Sequence, residues 1–158
     1  MKKFKLMLFA AFLFVTVFAN AQTEYVWDDY GVGFAVTEDF DIRVSNRDKF
    51  SAVSSDGLID IEILPWLDGS INEADLEDAV IDYASDICPI ADDILVDDLR
   101  IDDFTGKYLA AQLVDGEMIL VACMLDTQSR TNIIVLITFE EGNEDEAVDI
   151  LESFYAYD

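Results

Sequence analysis

Residues 107–139 run KYLAAQLVDGEMILVACMLDTQSRTNIIVLITF, three apolar segments interrupted only at Asp115-Gly116 and at Asp126 to Arg130. Breaks this short leave room for turns and not for helices, so Lys107 to Val114, Glu117 to Leu125 and Thr131 to Phe139 read as consecutive strands of an antiparallel meander. Met118 to Leu125 and Ile133 to Ile137 do not alternate with polar residues. A strand that is apolar on both faces is covered on both faces, which predicts that these two lie in the middle of the sheet.

Working outward, Ile94 to Ile101 adds a strand before the meander, joined to it by the turn Asp102 to Gly106. Further upstream, Val32 to Val36 and Ile42 to Asn46 read as short strands separated at Thr37 to Phe40, followed by Phe50 to Ser54 and Leu58 to Leu64. Ser55-Asp56-Gly57 is an Asp-Gly turn, and Ile59, Ile61 and Ile63 alternate with Asp60, Glu62 and Leu64, the period of a half-buried strand in a hairpin. Pro65 and Gly69 read as the end of that strand. Ser70 with Glu73 forms a capping box for a helix whose apolar stripe is Leu76, Ala79, Val80, Tyr83, Ala84 and Ile87, stopped by Pro89. After Gly142, Asn143 with Glu146 predicts a second box and a second helix with Ala147, Ile150, Leu151 and Phe154 on its apolar side. The segment around Trp27, Asp28 and Asp29 reads as a short acidic lead. The expectation is one α+β domain, a twisted antiparallel sheet of about seven to eight strands packed with two amphipathic helices as a single-domain sandwich.

The N-terminus has a different character. Lys2, Lys3 and Lys5 precede an uncharged apolar run from Leu6 to Phe18 and then Ala19-Asn20-Ala21, the three parts of a cleavable export signal. Thirteen apolar residues at a rise of about 1.5 Å each cover only about 20 Å of a hydrocarbon layer about 30 Å thick, which disfavours a membrane anchor. Residues 1–21 are therefore expected to be removed, leaving 22–158 as one acidic domain, periplasmic or secreted and soluble. Three of the nine basic residues and none of the 34 acidic ones leave with the signal, so six face 34, a formal charge of −28. Such a surface repels phosphate backbones and anionic lipid, which excludes nucleic acid and membrane insertion and favours cations and basic proteins. The apolar fraction of 53% is too high for a disordered acidic tail.

Cys88 and Cys123 are the two cysteines. In an exported chain they can bridge, closing a loop of about 35 residues worth on the order of 3 to 4 kcal/mol, or pack as two buried thiols; either role is structural.

The element order is paired N-terminal strands, a strand ending in Ile63-Leu64-Pro65, a helix, then a meander carrying Asp103-Phe104-Thr105-Gly106-Lys107 and a C-terminal helix. From about Tyr30 to Tyr155 it resembles the PsbP-like superfamily of small exported α-β-α domains. That superfamily hosts photosystem subunits, lipoproteins and nuclear-transport factors and has no shared catalytic residues to carry over. The resemblance implies the fold and a non-catalytic binding or scaffolding role.

Histidine is absent, which removes Ser-His and Cys-His nucleophile pairs, imidazole bases and histidine metal ligands. Two cysteines cannot build a four-cysteine zinc site, and the seven glycines form neither a P-loop nor a dinucleotide motif. Carboxylates remain. A glycosidase needs two of them, with Tyr25, Tyr30, Trp27 and Trp66 available to line a shallow sugar cleft. Calcium needs six to eight oxygens, and Glu140, Glu141, Asn143, Glu144 and Asp145 beside Gly142 are the densest set, with the doublets Asp92-Asp93, Asp97-Asp98 and Asp102-Asp103 behind it. Acidic residues in a first helical turn also stabilise the helix end. Trp27 and Trp66, with the terminal Tyr155 and Tyr157, lie outside the clearest core stripes, and the two tryptophans are the candidate partner surface. Arg43, Arg47 and Lys49 fall within seven positions, a neutral patch on the acidic surface or a relief of local repulsion, and are not taken as a site. The expected function is an exported, non-enzymatic binding domain for an unknown protein or small ligand, without a cofactor; the alternatives are a calcium-dependent structural protein and a carboxylate-dependent hydrolase.

Overall fold

The two unbroken apolar segments form neighbouring strands in the middle of a seven-stranded antiparallel sheet. The structure is a computed structural model describing residues 22–90, 94–128 and 131–157. In chain order the strands are β1 (Thr23–Trp27), β2 (Val32–Val36), β3 (Phe40–Ser45), β4 (Phe50–Ser54) and β5 (Ile59–Trp66), then helix α1 (Leu76–Ile87). Strands β6 (Val96–Arg100), β7 (Phe104–Gln112), β8 (Met118–Asp126) and β9 (Asn132–Phe139) follow, then helix α2 (Glu144–Glu152) and the two-residue strand β10 (Tyr155–Ala156). The large sheet has the order β3-β4-β5-β9-β8-β7-β6, and a small sheet has the order β1-β2-β10.

Side chains alternate across β8, and both sets are buried. Leu120, Ala122 and Met124 join a core that also holds Trp27, Phe34, Ile150 and Leu151, under the small sheet and α2. Ile119, Val121 and Cys123 face the other way and meet Leu76, Val80 and Ala84 of α1. The molecule is thus three layers, with α1 on one face of the large sheet and the small sheet plus α2 on the other. This is the α+β sandwich expected from the patterning. The Asp56-Gly57 hairpin forms as read: Gly57 has φ 80°, and the Asp56 carboxylate accepts the Leu58 N–H at 3.0 Å and the Ser54 hydroxyl at 2.7 Å. Those two bonds hold the Asp56 carboxyl below its ordinary range, the backbone bond first.

Several local expectations are corrected. The segment leading to Trp27 is strand β1, because Tyr25 and Trp27 alternate inward while Glu24 and Val26 stay exposed, and Asp28 and Asp29 fall in the turn that follows. Pro65 does not end β5; it pairs with Ile133. The last pairing of β4 is Phe50 with Ile63, so Pro65 has a neighbour on one side only, and a residue without an N–H is tolerated at such an edge. Ser70 does not start the first helix, since its hydroxyl is drawn to Asp68 at 2.6 Å. The box is Asn72 with Asp75, around a 3-10 turn Glu73–Asp75 that leads into α1. Asn143 makes no side-chain cap for α2; its amide donates to the Glu140 carbonyl at 3.1 Å, and Glu146 instead accepts the Thr37 hydroxyl at 2.8 Å. The proposed export signal and Asp92-Asp93 lie outside the described residues.

Candidate functional site

The two tryptophans, alike in sequence, have opposite fates. Trp27 is fully buried. Its indole N–H donates to the Asn46 carbonyl at 2.8 Å, and its ring packs on Tyr30 at 4.5 Å between centroids. Trp27 therefore leaves the candidate partner surface; it joins the small sheet to the β3–β4 turn. Tyr155 and Tyr157 are likewise structural. Tyr155 lies over Gly33, and the Tyr157 hydroxyl donates to Asp28 at 2.8 Å. Burial first, then that carboxylate, pushes the Tyr157 phenol up to about 12.

Trp66 is half-buried at the last position of β5, opposite Asn132 of β9. Among the described residues its indole N–H has no hydrogen-bond partner. Two clefts meet at its ring. The first, about 480 Å³, is lined by Trp66, Leu67 and Ile71 together with Tyr30, Leu125 and Asp126. The second, about 280 Å³, shares Trp66 and Ile71 and runs to α1, where Tyr83, Asp82 and Asp86 form its wall. Leu67 is 81% exposed beside them, a large apolar group presented to water at the rim of an aromatic cleft.

Local sequence explains how this region is held. Asp68 accepts the Ser70 N–H at 2.9 Å, and its bonds from Ser70 keep its carboxyl below the usual range, the hydroxyl bond first. The loop is thus folded on itself and lifts Leu67 outward. Asp126, buried at 6% exposure, accepts the Gln128 N–H at 2.7 Å while its own N–H donates to the Asn132 side chain at 3.1 Å, which fixes the turn from β8 to β9. Burial pushes the Tyr83 phenol up, with Glu62 adding to it. The wall is therefore a neutral donor surrounded by apolar groups and aspartates.

The remaining candidates are dispersed. Glu144 folds back to accept the Gly142 N–H at 3.0 Å, and among the described residues no three acidic side chains gather as metal ligands. Glu140, Glu141, Asn143, Glu144 and Asp145 are accordingly not arranged around a point. Cys88 and Cys123 are unbridged and buried, in the cluster under α1, and burial pushes the Cys123 thiol up to about 12. Lys49 pairs with Glu62 at 2.6 Å and Arg47 with Asp29 at 3.7 Å, so two of the three clustered cations are spent on neighbours. Asp60 and Glu117 both line a cleft of about 330 Å³. Burial raises the Asp60 carboxyl there.

Sequence reasoning singled out Trp66 but missed Leu67, Ile71 and Tyr83. The available signal was Trp66-Leu67 itself, two large apolar residues carried into a loop of Asp, Gly and Ser.

No protein-family model and no curated protein sequence matches the chain. The fold is similar to that of the Saccharomyces cerevisiae Ran-binding protein Mog1p, at 14% identity and TM-score 0.55 over 87% of this chain and 96% of that one. A point mutant of Mog1 gives 13% identity and TM-score 0.50 over 87% and 97%. A Bacteroides thetaiotaomicron VPI-5482 protein gives 12% and 0.52 over 85% of this chain, which spans about half, 48%, of that one. At these identities the likeness shows the fold, and the chain is an α+β sandwich of the Mog1-like kind.

Proposed function

We propose that this chain is an exported, non-enzymatic binding domain that holds a protein partner on the Trp66 face. The observation that carries this reading is the half-buried Trp66 at the junction of two clefts, with Leu67 exposed beside it. Tryptophan in a partly desolvated pocket beside apolar surface is the composition of an interface anchor. The lack of histidine and the dispersal of the carboxylates support a non-catalytic role, and so does a fold shared with a Ran-binding protein. Export rests on residues 1–21, and kinship with the PsbP-like superfamily rests on element order; both belong to the same proposal.

The test is capture of partners from the exported fraction of the native host on wild-type, Trp66→Ala and Leu67→Asp chains, followed by calorimetry with the purified partner. Loss of binding in both variants at unchanged melting temperature supports the reading. Equal capture by all three overturns it. So does turnover of a glycan. Protein from the native host that retains residues 1–21 would remove the export half.

A further inference from the structure

Resting on the assignment of the Trp66 face as the binding surface, we infer that its occupant is an extended segment carrying an arginine or lysine, whose cationic head sits between Asp82 and Asp86 while its stem lies along Trp66 and Tyr83.

Asp82 and Asp86 stand four residues apart on α1, so their side chains are neighbours on one helix face, and like charges at this spacing repel. Both line the cleft of about 280 Å³ that Trp66 and Tyr83 also line. Among the described residues no lysine or arginine lines either cleft at Trp66. Lys107 and Lys49 are engaged elsewhere, Lys107 at 2.9 Å from Asp98 and 3.7 Å from Glu77 and Lys49 at 2.6 Å from Glu62. The cleft therefore combines two uncompensated carboxylates with two aromatic rings and the apolar side chain of Ile71. A guanidinium or ammonium satisfies the carboxylates and is attracted by an aromatic face, and its methylene stem covers apolar surface. The adjoining larger cleft, with Leu67, Ile71 and Leu125, suits an apolar side chain next along the same segment. The net −28 of the mature chain steers such a segment toward the protein, and the cleft selects where it lands.

The probe is acetyl-Leu-Arg-Leu-Arg-Leu-amide against its glutamine-for-arginine counterpart, titrated into the full chain by calorimetry with tryptophan fluorescence in parallel. Expected are saturable binding of the arginine peptide only, a shift in Trp66 emission, and affinity that falls with salt. Asp82→Asn with Asp86→Asn should weaken binding about tenfold, two exposed ion pairs' worth. The control is Asp145→Asn with Asp149→Asn, the same spacing and charge change on α2, which should leave binding unchanged. Equal weakening in both double variants, or no difference between the peptides, overturns the inference. A native partner lost on Trp66→Ala but retained by the Asp82/Asp86 variant would refute this occupant and leave the binding face standing; a partner retained by both would remove both.

Discussion

Replacing Trp27 with phenylalanine tests the division of labour between the two tryptophans. The indole is fully buried and donates to the Asn46 carbonyl at 2.8 Å. Phenylalanine keeps a ring in the site but loses that hydrogen bond, worth about 1 kcal/mol net. It also leaves part of the indole volume unfilled, at about 1 to 2 kcal/mol in lost transfer energy and cavity. The expected loss is about 2 to 3 kcal/mol. For a folded domain spanning residues 22–158, this lowers the melting temperature by about 6 to 15 °C. Trp66→Phe, at a half-buried position with no hydrogen bond to lose, should cost under about 1 kcal/mol. Thermal melts followed by circular dichroism on both variants give the comparison directly. Emission adds a second check, because removing Trp27 leaves only the cleft tryptophan and shifts the spectrum to the red. Equal melting temperatures for the two variants would refute the assignment of Trp27 to the core and of Trp66 to the surface.

Further outcomes follow from other sites. A Cβ at Gly106 would stand 2.7 Å from the Cys123 carbonyl oxygen, so Gly106→Ala should lose about 1 to 3 kcal/mol by denaturant melt; a more stable variant, as strand propensity alone would give, would contradict that packing. Burial raises the Asp60 and Glu38 carboxyls, and groups raised in the folded state destabilise it when ionised, a cost relieved as pH falls through their folded values. Hydrogen bonds lower Asp56, Asp68 and Glu144, whose stabilisation is present above the ordinary carboxylate range and lost as pH falls through their folded values. As pH falls, the raised groups should add stability where they take up protons, just above the ordinary carboxylate range, and the lowered groups should remove it within and below that range; a melting temperature with no maximum on the acid side of neutrality would refute this. The Cys123 thiol, pushed up to about 12, and the buried Cys88 should react with a thiol reagent at neutral pH only as fast as the protein unfolds, and both should titrate in denaturant without reductant; rapid labelling of the native chain would place Cys123 outside the core.

The large sheet was legible because its information is local. An apolar run without alternation, as in Met118 to Leu125, already implies two covered faces, and Asp56-Gly57 already fixes a hairpin. What escaped depends on distant partners. Tyr155 and Ala156 are a strand only because Val32 and Gly33 lie beside them, and β1 was masked by Asp28 and Asp29 immediately after it. Ser70-Glu73 and Asn72-Asp75 are both plausible boxes by spacing; Asp68 settles the matter by taking the Ser70 hydroxyl. For the site, Trp66 was legible as a residue out of register with the core stripes. Its neighbours Ile71 and Tyr83 reach it from a loop and from α1, and no local pattern connects them.

Strand β10 makes the last described residues the third strand of a sheet that the first described residues begin. Tyr157 donates its N–H to the Gly31 carbonyl at 2.8 Å, and the hydroxyl of Ser153 donates to the Ala35 carbonyl at 2.9 Å. The Phe34 ring stacks on Phe154 across a separation of nearly the whole domain, at 5.2 Å between centroids. Loop closure over that span comes late in folding and contributes to a high contact order. A ribosome that delivers the chain from its amino end therefore releases β1 and β2 long before their seal exists, and a stop codon anywhere ahead of Phe154 yields an open core instead of a shorter domain.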